Sequence, residues 1–184
     1  MTTQLLGVRP QGKIQSALEW WSPGKTYRAE TRWFQSGSSE DMTVAGTFTV
    51  APAAGESLLI NRVTLLIVDT SGTWSDTTIG SSTAYTGSNG PRLSVRKGGS
   101  EVHEFTADIA ILNNRDVFMN TSPDYVFQNL DSGNSMCAAT WDLVGSHAPV
   151  ILEATDDDIR FVTGSTIGCV EMSARADCFR IEGD

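Results

Sequence analysis

Charged residues are scarce in this chain of 184 residues, and the positively charged ones are the scarcest. Asp, Glu, Lys and Arg make up 19% of the sequence, below the roughly 25% of an average soluble protein. The 22 acidic residues outnumber the 13 basic ones and give a net charge of −9. A surface that binds nucleic-acid phosphates needs the opposite sign, so we expect no nucleic-acid partner.

Cysteines and long apolar runs are also few. The three cysteines, Cys137, Cys169 and Cys178, cannot form a closed set of disulfides, and no pair has the spacing of a metal site. We therefore expect them to be reduced and buried. No apolar run approaches the roughly 18 residues of a membrane span, and residues 1–9 lack the apolar core of an export signal. We expect neither a membrane partner nor secretion.

Catalytic motifs are missing from the sequence. The two histidines, His103 and His147, are too few for most histidine-based metal or proton-relay chemistry. There is no G-x-S-x-G nucleophile elbow, and no glycine-rich run that follows a strand and opens a helix. Only a glycoside-cleaving pair of carboxylates stays open, since such partners can be distant in sequence. We expect no enzymatic activity and no cofactor.

Tryptophan is concentrated near the N-terminus, in a segment without a sustained hydrophobic period. Three of the five tryptophans lie in the first 41 residues, where five basic residues face four acidic ones, whereas the remainder has eight basic and eighteen acidic residues. Such a segment cannot bury its rings by packing on itself, so we predict an extended N-terminal arm over residues 1–42. The arm either covers its own body or crosses to a neighbouring subunit.

Two aromatic doublets, Trp20-Trp21 and Trp33-Phe34, are the most unusual feature of this arm. Adjacent side chains in an extended segment point in opposite directions, so burying both members of a doublet requires two surfaces. Aromatic and arginine side chains dominate the energetics of protein interfaces, and arginines pair readily with carboxylates. If the arm crosses to another subunit, its partner-binding residues are Trp20, Trp21, Arg28, Arg32, Trp33 and Phe34.

From residue 43 onward the pattern is typical of β-strands. Leu58–Val68 is apolar on both faces, which indicates a central strand or one that bends at a bulge near Asn61. Gly98-Gly99 lies between two strand-like runs and indicates a hairpin. Further short runs follow, among them Met136–Leu143 and Cys178–Ile181. We predict an all-β sandwich or barrel over residues 43–184.

A long polar loop separates two of these predicted strands. Residues 70–92 are rich in Ser, Thr, Gly and Asn, and Trp74, Ile79 and Tyr85 are their only large apolar side chains. Loops longer than about 15 residues are usually either functional or disordered. The segment is therefore either a mobile surface loop or a contact loop in which Trp74 and Tyr85 bind a partner.

The densest acidic cluster is Asp156-Asp157-Asp158. Consecutive carboxylates in a turn can bind calcium, but the spacing differs from that of the twelve-residue calcium loop. Aspartates in turns more often accept hydrogen bonds from nearby backbone N–H groups. We favour this second role and predict no metal site.

The order of four segments along the β body is the basis of a resemblance to known proteins. They are the strand Leu59–Ile67, the end of the polar loop at Asn89–Leu93, the element Asn114–Asp116 and the turn Asp156–Arg160. In this layout the chain from Thr43 onward resembles the jelly-roll proteins that decorate or cement the heads of tailed bacteriophages.

The resemblance implies a jelly-roll-like antiparallel β-sandwich with an extended N-terminal arm. It also implies a homotrimer on the exterior of a virion, made in the host cytoplasm, that clamps neighbouring subunits of the major capsid protein. A different class stays open as the alternative. It is a carbohydrate- or receptor-binding module of a phage tail or fibre, in which Trp74 and Tyr85 stack on sugar rings.

Overall fold

The structure is a computed structural model and describes residues 25–69, 92–104, 124–129, 135–146, 150–164, 166 and 169–181. The described residues contain ten β-strands and one short helix. These elements are β1 (Tyr27–Trp33), β2 (Gly46–Val50), β3 (Leu58–Asp69), β4 (Arg92–Lys97), β5 (Ser100–Glu104), β6 (Tyr125–Asn129), β7 (Ser135–Asp142), α1 (Leu143–Ser146), β8 (Val150–Leu152), β9 (Asp158–Thr163) and β10 (Glu171–Ile181). No helix in this part of the chain is long and apolar enough to cross a membrane.

The strands pair as in a long hairpin that has been rolled up. Strand β1 pairs with β10, β2 with β9, β3 with β7 and β8, and β4 with β5. Rolling places β10 beside β3 and β9 beside β4. The described strands thus form a six-stranded sheet of order β1-β10-β3-β7-β6, with β8 also on β3, and a four-stranded sheet of order β2-β9-β4-β5. All these pairs are antiparallel, and the order is that of a jelly roll. The predicted all-β, jelly-roll-like sandwich is confirmed.

The core lies between the two sheets and contains three aromatic rings in contact. Phe161 of β9 belongs to the four-stranded sheet and Trp141 of β7 to the six-stranded sheet, and their ring centroids are 5.7 Å apart. Phe34, which follows β1, lies 5.1 Å from Phe161. All three side chains are fully buried. Because edge-to-face pairs add about 0.5–1.5 kcal/mol each to hydrophobic burial, Phe161 helps to hold the sheets together.

Strand β3 is the long central strand that the sequence predicts. It pairs with β10 along one side and with β7 and β8 along the other. The register against β10 skips Asn61, which forms a β-bulge at the predicted place. The neighbour on the other side also changes there, from β7 to β8.

The predicted hairpin is formed by β4 and β5. Gly98 and Gly99 connect the two strands and have φ angles of 55° and 74°. The tight hairpin turns with two central residues need positive φ, which glycine adopts without strain. The hairpin predicted from Gly98-Gly99 is therefore confirmed.

Strand β10 is longer than the sequence indicates. The sequence predicts a run that begins at Cys178, but the strand begins at Glu171. Its first half alternates polar residues with the buried Ala174 and Ala176. Alanine has a low β-propensity, so this alternation is a weak sequence signal.

The second half of the predicted arm belongs to the sandwich of its own chain. Strand β1 pairs with β10 over its full length, from Tyr27 opposite Ile181 to Trp33 opposite Arg175. Phe34 and Met42 are fully buried in the core. The prediction that Phe34 binds a partner is therefore wrong, because its ring is inside the domain. Residues 1–24, with Trp20 and Trp21, lie outside the described residues.

The members of the Trp33-Phe34 doublet should differ sharply in their effect on stability. Phe34→Ala should lower the free energy of unfolding by about 3–5 kcal/mol, because it leaves a cavity beside Phe161. Trp33→Ala should change it by less than about 0.5 kcal/mol, since Trp33 is exposed. Urea unfolding followed by circular dichroism measures both. If Phe34→Ala does not fold, Phe34→Leu should fold with a smaller loss. Equal losses for Trp33→Ala and Phe34→Leu would contradict the assignment.

Candidate functional site

An open cleft lies where β1 ends and β10 begins. In the described part of the chain, four large hydrophobic side chains are exposed, and two of them, Trp33 (44% exposed) and Val170 (59% exposed), line this cleft. Its volume is about 290 Å³. We call it the Trp33 cleft, and its lining residues are Trp33, Glu40, Asp41, Val170, Glu171, Met172 and Ser173.

The path of the backbone explains why these residues meet. After β1, Phe34 donates its N–H to the carbonyl of Ala174 (2.9 Å), so the chain is still attached to β10. The chain then leaves the six-stranded sheet and returns to it at Met42, which donates its N–H to the carbonyl of Met172 (2.9 Å). The excursion includes a tight turn in which Ser36 and Ser39 exchange backbone hydrogen bonds. Glu40 and Asp41 are therefore carried to the rim of the cleft.

Three carboxylates line the cleft together with the exposed tryptophan. Glu40 accepts a hydrogen bond from the Gln35 amide (3.1 Å), and Glu171 accepts one from the Ser173 hydroxyl (3.1 Å). Asp41 accepts from the hydroxyl (2.6 Å) and the backbone N–H (2.9 Å) of Thr43, and these bonds lower its pKa. All these donors are neutral. Within the described ranges, none of the three carboxylates has an ion pair.

The basic residue Arg175 lies beside this cleft. Arg175 is opposite Trp33 in the ladder between β1 and β10, and both side chains are exposed. Side chains of directly opposed residues lie on the same face of a sheet. Arg175 therefore offsets part of the negative charge without lining the cleft.

Arg32, a predicted partner-binding residue, is engaged within its own chain. Its guanidinium contacts Glu30 (2.5 Å) and Glu56 (2.8 Å) and donates to the carbonyl of Ala51 (3.0 Å). Arg180 adds a second guanidinium 3.0 Å from Glu56. Burial disfavours the charged form of Glu56, but the Ala53 N–H and both arginines outweigh this and lower its pKa to about 2. Charges that point inward also protect the edge strand β1 from unwanted strand pairing.

The other predicted partner-binding residues have different positions. Arg28 is exposed on β1, opposite Arg180 in the ladder. Trp33 is exposed in the cleft. Trp74 and Tyr85 lie outside the described residues, as do Trp20 and Trp21.

The acidic triplet forms a structural turn. Asp157 is buried and accepts hydrogen bonds from the backbone N–H groups of Glu153 (2.8 Å) and Gly98 (3.0 Å) and from the Lys97 ammonium (2.7 Å). Asp158 pairs with Arg160 at 2.6 Å. The predicted backbone-bonding role is thus confirmed for Asp157. In the described ranges, no group of His, Cys, Asp and Glu is arranged to hold a metal ion.

Cys169 and Cys178 are both free thiols. Cys178 is buried as predicted, and burial raises the pKa of its thiol to about 12. Cys169 is only partly buried. The thiolate is the reactive form of cysteine, so burial makes Cys178 unreactive.

The sequence singled out Trp33 but missed the rest of the cleft. Glu40 and Asp41 are more than a hundred residues away from Val170 and Glu171 along the chain. The pairing of β1 with β10 and the backbone bond from Met42 to Met172 bring the two segments together. The one available signal was the position of two acidic residues shortly after an aromatic doublet.

Comparisons with known proteins found no match: no family model, no curated protein and no solved structure is similar to this chain.

The Asp157 carboxylate should stabilise the fold, with a characteristic pH dependence. Asp157→Asn should lower the free energy of unfolding at neutral pH by about 1–3 kcal/mol, because a charged acceptor is lost. Although burial opposes the charge, the Glu153 and Gly98 N–H groups and Lys97 lower the pKa from 3.8 to about 2. The stabilisation is therefore complete above pH 3.8 and is lost as the pH falls through about 2.

Urea unfolding of the wild type and the variant over this pH range measures the effect. Asp156→Asn is the matched control, because its side chain is exposed, and it should change stability by less than about 0.5 kcal/mol. A gap between wild type and Asp157→Asn that stays constant down to pH 2 would contradict the role of the charge.

Proposed function

We propose that this chain is a structural interaction protein that decorates a bacteriophage capsid and stabilises it by binding subunits of the major capsid protein. The observation that carries the proposal is Trp33, a large aromatic side chain that is 44% exposed beside the exposed Val170 in an open cleft. Tryptophan is among the residues that most often dominate the binding energy of an interface. A tryptophan held in this position supports a role in protein binding.

The fold gives this tryptophan a rigid position. Trp33 is the last residue of β1, and the next residue, Phe34, is buried in contact with Phe161. Binding residues on strands lose less conformational entropy on association than residues on mobile loops. A preorganised contact of this kind suits a protein whose role is to add buried area between subunits.

The charge distribution is consistent with an exterior position. The chain beyond residue 41 has eight basic and eighteen acidic residues. A strong net negative charge keeps protein surfaces soluble and opposes their association. A shell covered by many copies of such a domain would resist aggregation of whole particles. We further propose that the chain forms a homotrimer, as the resemblance to decoration proteins implies.

Cosedimentation with empty capsids, assembled from the major capsid protein of the same virus, tests the proposal. We expect saturable binding, and Trp33→Ala should weaken it by at least about tenfold, as expected for an interface anchor. Val102→Ala is the matched control, because Val102 is also an exposed hydrophobic residue (59%) but lies on β5 of the other sheet. No binding by the wild type, or equal binding by both variants, would contradict the proposal.

A truncation in the same assay separates residues 1–24 of the arm from the sandwich. Removing residues 1–24 leaves β1 and Phe34 in place, whereas removing residues 1–41 deletes a strand and part of the core. The shorter truncation should stay folded and should lose capsid binding if the arm grips the shell. Light scattering of both forms gives their oligomeric state. Full binding by the truncated chain would limit the contact to the sandwich.

A second candidate function, carbohydrate or receptor binding in a phage tail or fibre, has support from the same tryptophan. Jelly rolls include lectin domains, and an exposed indole beside carboxylates can stack on a sugar ring and accept bonds from its hydroxyls. On a glycan array this function predicts selective binding that Trp33→Ala abolishes and Val102→Ala preserves. An array without selective binding would leave capsid decoration as the proposed function.

A further inference from the structure

We infer that the Trp33 cleft recognises a basic side chain, a lysine or arginine on an exposed segment of a partner protein. The inference rests on the proposed function in one respect, since it names the chemistry of the partner that the cleft would contact. The proposed function rests only on the exposure of the side chains in the Trp33 cleft. The inference adds the class of ligand that the cleft binds, which is a cation.

The first observation is the combination of an exposed indole with an apolar wall. A cation near the face of a tryptophan ring is attracted by the electron density of the ring, and tryptophan is the best of the aromatic residues for this. Val170 is exposed beside it, and the buried Met172 also lines the cleft. The methylene stem of a lysine or arginine buries well against such apolar groups, while its charged end stays at the rim.

The second observation is the charge at that rim. The carboxylates of Glu56, Asp157 and Asp158, which hold the fold together, each contact an arginine or lysine of the same chain. Glu40 and Glu171 accept hydrogen bonds only from neutral donors among the described residues. Asp41 accepts a hydrogen bond from the hydroxyl of Thr43, which is also a neutral donor, and this bond lowers the pKa of Asp41. Among the described residues, no cation within the cleft balances its three negative charges.

Neighbouring charges on the same face do not reverse this sign. Arg175 lies opposite Trp33, and Asp177 is two residues further along β10, where it accepts a hydrogen bond from Thr31 (2.9 Å). These two side chains carry opposite charges, as do Arg62 and Asp142, which follow opposite Asp177 on β3 and β7. The balance therefore favours a cation over an anion, and the aromatic wall favours an organic cation over a hydrated metal ion.

The experiment uses two short probe peptides, acetyl-Gly-Ser-Lys-Ser-Gly-amide and the same peptide with Glu in place of Lys. Each is added to the full-length chain while the indole N–H signals are followed by NMR. The Trp33 signal is assigned from its loss in Trp33→Phe. We expect the lysine peptide to shift this signal saturably, and to bind at least about threefold more weakly when salt rises from about 50 to about 300 mM. The glutamate peptide should leave the signal unchanged.

Charge-neutral variants test the carboxylates directly. The double variant Glu40→Gln, Glu171→Gln should weaken binding of the lysine peptide at least about threefold, because exposed ion pairs are individually weak. Glu101→Gln is the matched control, because Glu101 is exposed on the other sheet, and it should have no effect. An unmoved Trp33 signal, or equal binding of both peptides, overturns the inference.

The results also distinguish this inference from the proposed function. If the chain binds capsids and the double variant binds them equally well, the inference falls and capsid decoration stands. If the lysine peptide binds as expected but no capsid is bound, the decoration proposal falls and the cation specificity of the cleft stands. If the lysine peptide binds only after residues 1–24 are removed, the occupant is the N-terminal segment of this chain, which overturns assignment to a partner protein.

Discussion

The pairing of β10 with β3 is the contact on which the rest of the structure depends. It joins residues 171–180 to residues 58–68, far apart in sequence, and closes the roll of the sandwich. The other edge of β10 is thereby placed where β1 adds to the sheet, and Phe34 follows β1 into the core. The Trp33 cleft exists for the same reason, because the start of β10 supplies one wall and the end of β1 supplies the other.

Carboxylates have two distinct roles in this acidic chain. Glu56 and Asp157 are enclosed by arginine, lysine and backbone N–H groups, which lower their pKa values to about 2 and connect segments distant in sequence. Glu40 and Glu171 accept only neutral donors at the rim of an exposed cleft. The first group satisfies its charge inside the fold, and the second presents its charge to solvent. Net charge alone does not distinguish these roles, whereas the nature of each hydrogen-bond donor does.

The sequence predicts those parts of the fold in which the local residue pattern agrees with the pairing of the strands. The bulge at Asn61 and the hairpin at Gly98-Gly99 follow from apolar periodicity and from the positive φ of glycine. For β1 the sequence predicts an extended arm instead of a strand of the sandwich. The reason is that its inward side chains include Glu30 and Arg32, which satisfy each other instead of forming an apolar stripe. The cleft was predictable only as an exposed tryptophan, since its walls come from segments that meet through long-range strand pairing.

The Trp33-Phe34 doublet also has a mechanical consequence. Hydrogen bonds in an antiparallel ladder run perpendicular to the strands, and β1 is held to β10 along seven residue pairs. A pull on Trp33 along the strand axis would load all of these bonds together, and the buried Phe34 ring would act as a stop. A pull away from the sheet would break the same bonds one after another. The domain is therefore strong against shear and weak against peeling at Trp33.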